Sequence, residues 1–475
     1  MRMRPSKWMS IASGPLLFLI VILFVHPADM SGPARMVLAS TLWVAVWWIT
    51  EAIPIPVTSL LPVILLPMTG ATGIRDTAQA YGDPIIFLYI GGFIIAAAIE
   101  KWDLHKRIAL LTIARTGSDA RHILLGFMLA TALLSMWISN TATTVMMLPI
   151  GIAVITHLGQ AQGSEAFGKA LMLGIAYAAS LGGLATLIGT PTNLVFAGIV
   201  RDTYNAEITF TGWMVIGMPV SLILLGLCWI YLTRFGFKLS AKTLVGGRTE
   251  ITRQIRQLGR ASFEEKAVAI VFAFTALCWV LRSTILKRWF PEIDDSLIAI
   301  AGATMLFLIP SRRDHGKMLI SWQEAVRIPW GIILLFGGGL AIAAGFQSSG
   351  LAAWIGNQMT LLQGVPILLL MLFVVTCVTA LSEIASNVAT AAMILPVLIA
   401  IAAAIGVNPY VLLVAATLAA SIGFMLPVAT PPNAVVFGSG YLRIRDMIRA
   451  GFWMDLICIV IVTLYMYFIL PIIWQ

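Results

Sequence analysis

Charged residues are scarce in this chain. Only 11% of its 475 residues are charged and 60% are hydrophobic, whereas soluble domains carry roughly 25% charge. Apolar runs of near-spanning length recur from residue 11 to residue 474, which excludes a soluble globular enzyme. These runs are continuous and do not alternate as the strands of a membrane β-barrel do. Because helices are the only other structure that spans a bilayer, we predict an all-α polytopic membrane protein.

Cysteine is also rare. All four cysteines lie inside apolar runs, and their spacing matches neither a metal site nor a disulfide framework. We interpret them as reduced packing residues, which are Cys228, Cys278, Cys377 and Cys458.

Motifs of catalysis and of ion channels are missing too. The sequence has no metal-binding His-Glu pair, no Gly-rich serine protease motif and no paired aspartates within helices. We therefore predict that the chain is not an enzyme. It also lacks the ring-forming charged or carbonyl pattern of a channel filter, which favours a carrier over a channel.

The net charge of +9 does not indicate a nucleic-acid partner. The basic residues cluster in loops between apolar runs, without a basic face interleaved with aromatics, and such loops set the orientation in the membrane. Residues 101–121 and 234–266 are rich in Lys and Arg, as is the N-terminus with Arg2, Arg4 and Lys7. We expect all three in the cytoplasm, an uncleaved first helix and an external C-terminus, in a bacterial inner (plasma) membrane.

Two apolar stretches are too long for one ordinary span. Residues 122–157 and 365–404 are each broken near the middle by a polar Ser-Asn motif, so we predict two re-entrant hairpins. Without the first hairpin, the basic loop at 234–266 would lie on the wrong side of the membrane. We expect about eleven further helices to cross the bilayer, near residues 11–26, 35–51, 54–70, 84–100, 168–200, 212–234, 267–285, 295–310, 328–346, 409–438 and 450–473.

The hairpins belong to an internal repeat. Ser139-Asn140-Thr141 matches Ser386-Asn387-Val388 at an offset of 247 residues. Gly189-Thr190-Pro191-Thr192-Asn193 matches Ala429-Thr430-Pro431-Pro432-Asn433 at an offset of 240. An odd number of crossings separates the copies, so they are predicted to be inverted, as in secondary transporters with a binding site at the repeat interface. The predicted parts are an N-terminal helix (1–34), a first repeat (35–234), a basic amphipathic cytoplasmic linker (235–266) and a second repeat (267–475).

Hairpin tips and broken helices place unsatisfied backbone groups at membrane depth, where they bind ions. The only charged residue from 365 to 440 is Glu383, and residues 170–200 contain none. A dianionic substrate in such a site needs compensating charge, which Na⁺ can supply. We expect Glu383 to brace the second hairpin and not to ligate an ion directly.

The doubled motif, the two Thr-Pro loops and the stretch from Trp48 to Pro54 resemble the divalent anion/Na⁺ symporter family. Members of that family carry succinate, malate, fumarate or citrate. The resemblance covers nearly the whole chain. It implies a homodimer in which a scaffold holds a transport domain that moves as an elevator.

The resemblance also implies site residues, with at least two Na⁺ ions and no organic cofactor. One Na⁺ site is expected at Ser135, Ser139, Asn140 and the backbone of Gly189. The other is expected at Ser382, Ser386, Asn387 and the backbone of Ala429. The substrate carboxylates are expected to contact Asn140, Thr141, Asn387, Val388, Thr190, Pro191, Thr430 and Pro431. Many relatives have Thr where this chain has Val388, which affects the expected substrate preference.

The leading hypothesis is a Na⁺-coupled importer of di- or tricarboxylates, embedded in membrane lipid. An exchanger of the same family is the first alternative. Exchangers of this family can have a cationic side chain where the second Na⁺ would bind, and this sequence shows none there. A carrier of another divalent anion such as sulfate is the second alternative.

Overall fold

The computed structural model describes residues 5–27, 29–117, 119–158, 164–239, 247–314, 316–359 and 364–474. Within these residues the chain is almost entirely helical, apart from connecting turns and one short bridge between Pro310 and Met318. The predicted all-α fold class is confirmed. Arg2 and Arg4 of the N-terminus and residues 240–246 of the predicted linker lie outside the described residues.

The described residues up to Ile230 form twelve α-helices. They are α1 (Pro5–Phe24), α2 (Gly32–Thr50), α3 (Ile55–Thr58), α4 (Leu61–Met68), α5 (Ile74–Gln79), α6 (Pro84–Lys101), α7 (Leu104–Ala114), α8 (Ala120–Ser135), α9 (Asn140–Leu158), α10 (Ser164–Gly183), α11 (Pro191–Tyr204) and α12 (Phe210–Ile230).

The second half contains thirteen more. They are α13 (Gly247–Leu258), α14 (Phe263–Leu281), α15 (Lys287–Trp289), α16 (Asp295–Leu308), α17 (Trp322–Ala325), α18 (Trp330–Ser348), α19 (Leu351–Gln358), α20 (Ile367–Ser382), α21 (Asn387–Ile405), α22 (Pro409–Ala420), α23 (Pro431–Phe437), α24 (Ile444–Phe468) and α25 (Leu470–Ile473).

Nine helical segments among the described residues are long and apolar enough to cross a membrane. Seven coincide with predicted crossings, and the other two, Asn140–His157 and Asn387–Ile405, are the second arms of the predicted hairpins. Length and apolarity therefore do not separate a hairpin arm from a crossing. The count of eleven crossings and the membrane orientation stay predictions.

Two predicted crossings are broken by long loops, besides the short turn at Ser59 and Leu60 that divides the crossing 54–70 into α3 and α4. The segment 168–200 is interrupted by residues 184–190, between α10 and α11, and the segment 409–438 is interrupted by residues 421–430, between α22 and α23. In each case the second helix begins at a proline, Pro191 or Pro431, whose missing N–H is no loss in the first turn of a helix. At each break one helix ends and a separate helix begins, so the proline does not merely kink a continuous helix.

The helix order repeats along the chain. Helices α6–α12 correspond in sequence order to α18–α24. The hairpin arms α8 and α20 both have 16 residues, and α9 and α21 both have 19. This order supports an internal repeat. The boundaries at 35–234 and 267–475, and the inversion of the two copies, stay predictions.

The described part of the predicted linker forms α13, which packs against α7 and α9. Glu250 on this helix is buried and accepts hydrogen bonds from Arg253 and Gln254. The hydrogen bonds from Arg253, followed by the one from Gln254, lower the pKa of Glu250 to about 2. Glu250 therefore stays ionised at neutral pH.

The two broken helices contact each other at the centre of the molecule. The Tyr177 hydroxyl of α10 donates to the Phe424 carbonyl at 3.2 Å, and the two rings lie 4.6 Å apart. The hydroxyls of Thr192 and Ser421 are 2.5 Å apart. These contacts hold one break beside the other, so that both face the same interior space.

Candidate ion and substrate site

The two hairpin tips and the two helix breaks line one cavity of about 760 Å³. Residues within the segments Ile49–Pro56 and Pro329–Leu335 also line it. The structure brings together twelve of the fourteen predicted site residues around it, which are Ser139, Asn140, Thr141, Gly189, Thr190, Pro191, Ser386, Asn387, Val388, Ala429, Thr430 and Pro431. Ser135 and Ser382 are fully buried behind the tips.

At the first tip, oxygen atoms converge on the Asn140 side chain. When the amide nitrogen of Asn140 faces this group, it lies 2.6 Å from Ser135 Oγ, 3.2 Å from the Ala179 carbonyl and 3.3 Å from the Gly189 carbonyl. Ser135 Oγ also donates to the Ala179 carbonyl at 2.7 Å. With its amide nitrogen facing these oxygens, Asn140 donates hydrogen bonds to them. If the amide is rotated so that its oxygen faces them instead, all of the facing groups are oxygen atoms, which suits a cation.

The second tip repeats this arrangement. Ser382 Oγ lies 2.8 Å from Asn387 Oδ1 and 2.5 Å from the Ala420 carbonyl. The matched serine, asparagine and facing-helix carbonyl are the elements found at the first tip. Two equivalent clusters therefore flank the cavity, and their hydroxyl, amide and carbonyl oxygens are ligands suited to Na⁺.

Glycine is required at the first cluster. A Cβ at Gly183 would lie 2.7 Å from Asn140 Oδ1, and a Cβ at Gly189 would lie 2.5 Å from the Gly183 carbonyl. Any side chain at either position would displace the oxygen atoms of the cluster. The close approach of the break to the tip therefore depends on both glycines.

Two asparagines hold the helix breaks in shape. The Asn193 amide donates to the carbonyls of Gly183 at 3.2 Å and Thr186 at 2.8 Å. The Asn433 amide donates to Gly423 and Leu426, both at 3.0 Å. Neither asparagine was among the predicted site residues, although both belong to the doubled Thr-Pro motif, and that repetition was the signal that could have found them.

Glu383 braces the second break, as expected. Its carboxylate is buried and accepts from the backbone N–H groups of Met425 at 2.9 Å and Leu426 at 3.0 Å. Asp455 of α24 accepts from the Phe424 N–H at 3.2 Å. Three successive amides are thus held by two buried carboxyl groups. Sequence reasoning missed Asp455, since only the packing of α24 brings it to this loop.

The cavity carries little fixed charge. Among the described residues that line it, Glu51 is the one charged side chain, and there is no lysine or arginine. Glu51 is exposed at the C-terminal end of α2. A dianion inside this space would meet neutral donors, so bound cations are the available source of compensating charge.

Comparison with known proteins places the chain in a family. A family model for the transmembrane region of sodium:sulfate symporters matches residues 6–474. The sodium-dependent dicarboxylate transporter SdcS of Staphylococcus saprophyticus is 45% identical over 468 residues, covering 96% of this chain and 90% of the relative. The protein of the same name from Staphylococcus aureus is 44% identical over 470 residues, covering 97% and 90%.

Two solved structures share the fold. The YdaH transporter of Alcanivorax borkumensis superposes with a TM-score of 0.61 and 14% identity, covering 94% of this chain and 99% of that chain. MtrF of Neisseria gonorrhoeae, described among antimetabolite efflux pumps, gives a TM-score of 0.59 and 11% identity, covering 96% and 98%. At such identity the likeness concerns architecture alone. Because the family model spans both hairpins and both helix breaks, this chain belongs to the sodium:sulfate symporter family, which confirms the predicted divalent anion/Na⁺ symporter membership.

Proposed function

We propose that this protein imports C4 dicarboxylates such as succinate, malate and fumarate, coupled to Na⁺. The observation that carries the proposal is the pair of matched oxygen clusters flanking a cavity whose described lining has no lysine or arginine. Relatives at 44–45% identity are named as sodium-dependent dicarboxylate transporters, which supports the same substrate class.

Each cluster would hold one Na⁺. The first uses Ser135, Ser139, Asn140 and the Gly189 carbonyl, and the second uses Ser382, Ser386, Asn387 and the Ala429 carbonyl. The N-terminal ends of α9 and α21 begin at Asn140 and Asn387, so their free N–H groups and positive dipole ends favour a carboxylate at each tip. One carboxylate at each tip accounts for a substrate with two acid groups.

The alternatives are weaker on this geometry. An exchanger without Na⁺ needs a protein cation near the substrate, and none lies among the described lining residues. A single sulfate would use one anion-binding end, whereas the cavity presents two. Its volume of about 760 Å³ also suits a longer molecule.

The proposed assembly follows from the family resemblance. We infer a homodimer in the plasma membrane, with a cytoplasmic N-terminus and an external C-terminus. The hairpins and broken helices are the parts that would move as an elevator against the remaining helices.

Substitution of the two tip asparagines tests the site. Asn140→Ala and Asn387→Ala are each expected to lower Na⁺-dependent succinate uptake into proteoliposomes by roughly 10- to 100-fold, because each removes a group that contacts charge. Asn357→Ala on α19 is the matched control, since Asn357 is exposed and lies outside the cavity lining. Uptake unchanged in both tip variants would refute the site assignment.

A further inference from the structure

The tip and Thr-Pro residues that line the two halves of the cavity form matched pairs, and one tip pair differs in polarity. Ser139 pairs with Ser386, Asn140 with Asn387, Thr190 with Thr430 and Pro191 with Pro431. At the remaining tip position, Thr141 pairs with Val388. The pseudo-symmetric site therefore offers a hydroxyl at the first tip and a methyl group at the second.

The Thr141 hydroxyl is available to a ligand. Thr141 lines the cavity, and its hydroxyl has no hydrogen-bond partner within the described part of the protein. Ser180, which also lines the cavity on the first side, adds another hydroxyl there. Its counterpart Ser421 is not among the lining residues and is bonded to Thr192.

The second side is apolar around Val388. Ile384 and Val428 line the cavity and are 60% and 80% exposed, the largest exposures among the apolar side chains of this wall. A substrate hydroxyl placed against these side chains would lose its bonds to water and gain none, which is unfavourable.

We propose that this difference orients a hydroxylated substrate. A 2-hydroxy C4 dicarboxylate such as malate binds with its hydroxyl-bearing carbon beside Thr141 and its unsubstituted carbon against Val388. Succinate has no hydroxyl and fits in either direction. The inference rests on the proposed dicarboxylate transport and specifies how that site discriminates among substrates.

The test is the ratio of malate to succinate transport. It is measured as relative kcat/KM, by competition between the two acids for uptake into proteoliposomes under an inward Na⁺ gradient. Thr141→Val is expected to lower this ratio by about tenfold, because the substrate hydroxyl then meets an apolar side chain at both of the matched positions 141 and 388. Thr141→Ser keeps the hydroxyl and is expected to keep the ratio. Effects on carboxylate binding are common to both substrates and cancel in the ratio.

The swapped variant Thr141→Val/Val388→Thr gives the sharper result. It moves the hydroxyl to the other tip, so malate can bind in the reverse direction and the ratio is expected to return to within about twofold of the native value. Because this variant keeps one hydroxyl at the matched positions 141 and 388, it yields a ratio even if malate uptake by Thr141→Val alone is too weak to measure. Val57→Thr, at an exposed side chain outside the cavity lining, controls for the substitution type.

An unchanged ratio in Thr141→Val, or a low ratio in the swapped variant, would overturn the orientation. Absence of uptake of both acids by the native protein would instead contradict the proposed function. The two failures are therefore distinguishable.

Discussion

At the scale of single residues, each cluster is organised by a buried serine behind the hairpin tip. Ser135 and Ser382 contact both the tip asparagine and a carbonyl of the facing helix, and both are fully buried. The family resemblance carried by the doubled Ser-Asn motif led us to expect both serines near Na⁺. The carbonyls of Ala179 and Ala420 were not predictable, because backbone oxygens carry no sequence signal and only packing brings them to the tip.

Removal of either serine hydroxyl is expected to weaken Na⁺ binding. Ser135→Ala and Ser382→Ala should each raise the Na⁺ concentration for half-maximal succinate uptake by roughly tenfold, since each loses an oxygen next to the proposed ion. Ser40→Ala removes an equally buried hydroxyl from α2, away from the cavity, and should leave this concentration unchanged. The same increase in Ser40→Ala would show a general packing effect.

Gly183 gives a steric test of the first cluster. Gly183→Ala is expected to reduce Na⁺-driven uptake by more than about tenfold, because its Cβ would lie 2.7 Å from Asn140 Oδ1. Gly226→Ala is the control, since a Cβ there meets nothing within 4 Å. Equal uptake by the two variants, at equal amounts of folded protein, would argue against a tightly fitted cluster at Asn140.

At the scale of elements, the helix breaks position the site. Each break exposes carbonyl groups at its end, and each is tied by one asparagine, Asn193 or Asn433. The Thr-Pro pairs marked these places in the sequence. A proline inside an apolar run fits a kink as well as a break, but the recurrence of Thr-Pro after both hairpins favours loops, and the helix ends at these places agree with loops. The predicted crossings 168–200 and 409–438 are therefore each built from two helices.

The second break depends on a carboxylate that the first lacks. The residue matched to Glu383 in the first repeat is Met136, so the two breaks are held differently. Glu383→Gln is expected to destabilise the protein by about 1–3 kcal/mol, since an amide NH₂ would face a backbone N–H. Thermal unfolding of purified protein measures this loss of stability. Succinate uptake by the variant is expected to be lower as well.

Glu165→Gln is the matched control for Glu383. The Glu165 side chain is 83% exposed and its ion pair with Lys169 lies on the surface, where such pairs contribute little. The account predicts a clear difference between the two variants in unfolding temperature. An unfolding temperature of Glu383→Gln equal to that of Glu165→Gln would contradict the bracing role.

At the scale of the whole molecule, the cavity lining includes Ile49–Glu51 and Pro329, at helix ends predicted to be cytoplasmic. On the opposite face, Asp83 at the start of α6 forms an ion pair with Arg201 of α11. Trp137 of the first tip packs on Phe272 with ring centroids 4.9 Å apart. In the predicted orientation the Asp83–Arg201 ion pair lies on the external side, where it would help to keep the cavity closed.

Breaking the ion pair is expected to favour opening to the outside. In a background without native cysteines, Arg201→Gln should raise external labelling of Val428→Cys by an impermeant maleimide several-fold, because an interaction of the closed outer face is lost. Lys106→Gln, which breaks the exposed pair with Asp103, is the control. Equal labelling in the two variants would contradict a closing role for Arg201.

The central claim is that Na⁺ supplies the charge that the cavity lacks. Uptake of labelled succinate into proteoliposomes, with and without an inward Na⁺ gradient and with and without internal succinate, tests it most directly. The account predicts Na⁺-driven uptake into vesicles that contain no dicarboxylate. Uptake that requires internal dicarboxylate and ignores Na⁺ would contradict it and identify an exchanger.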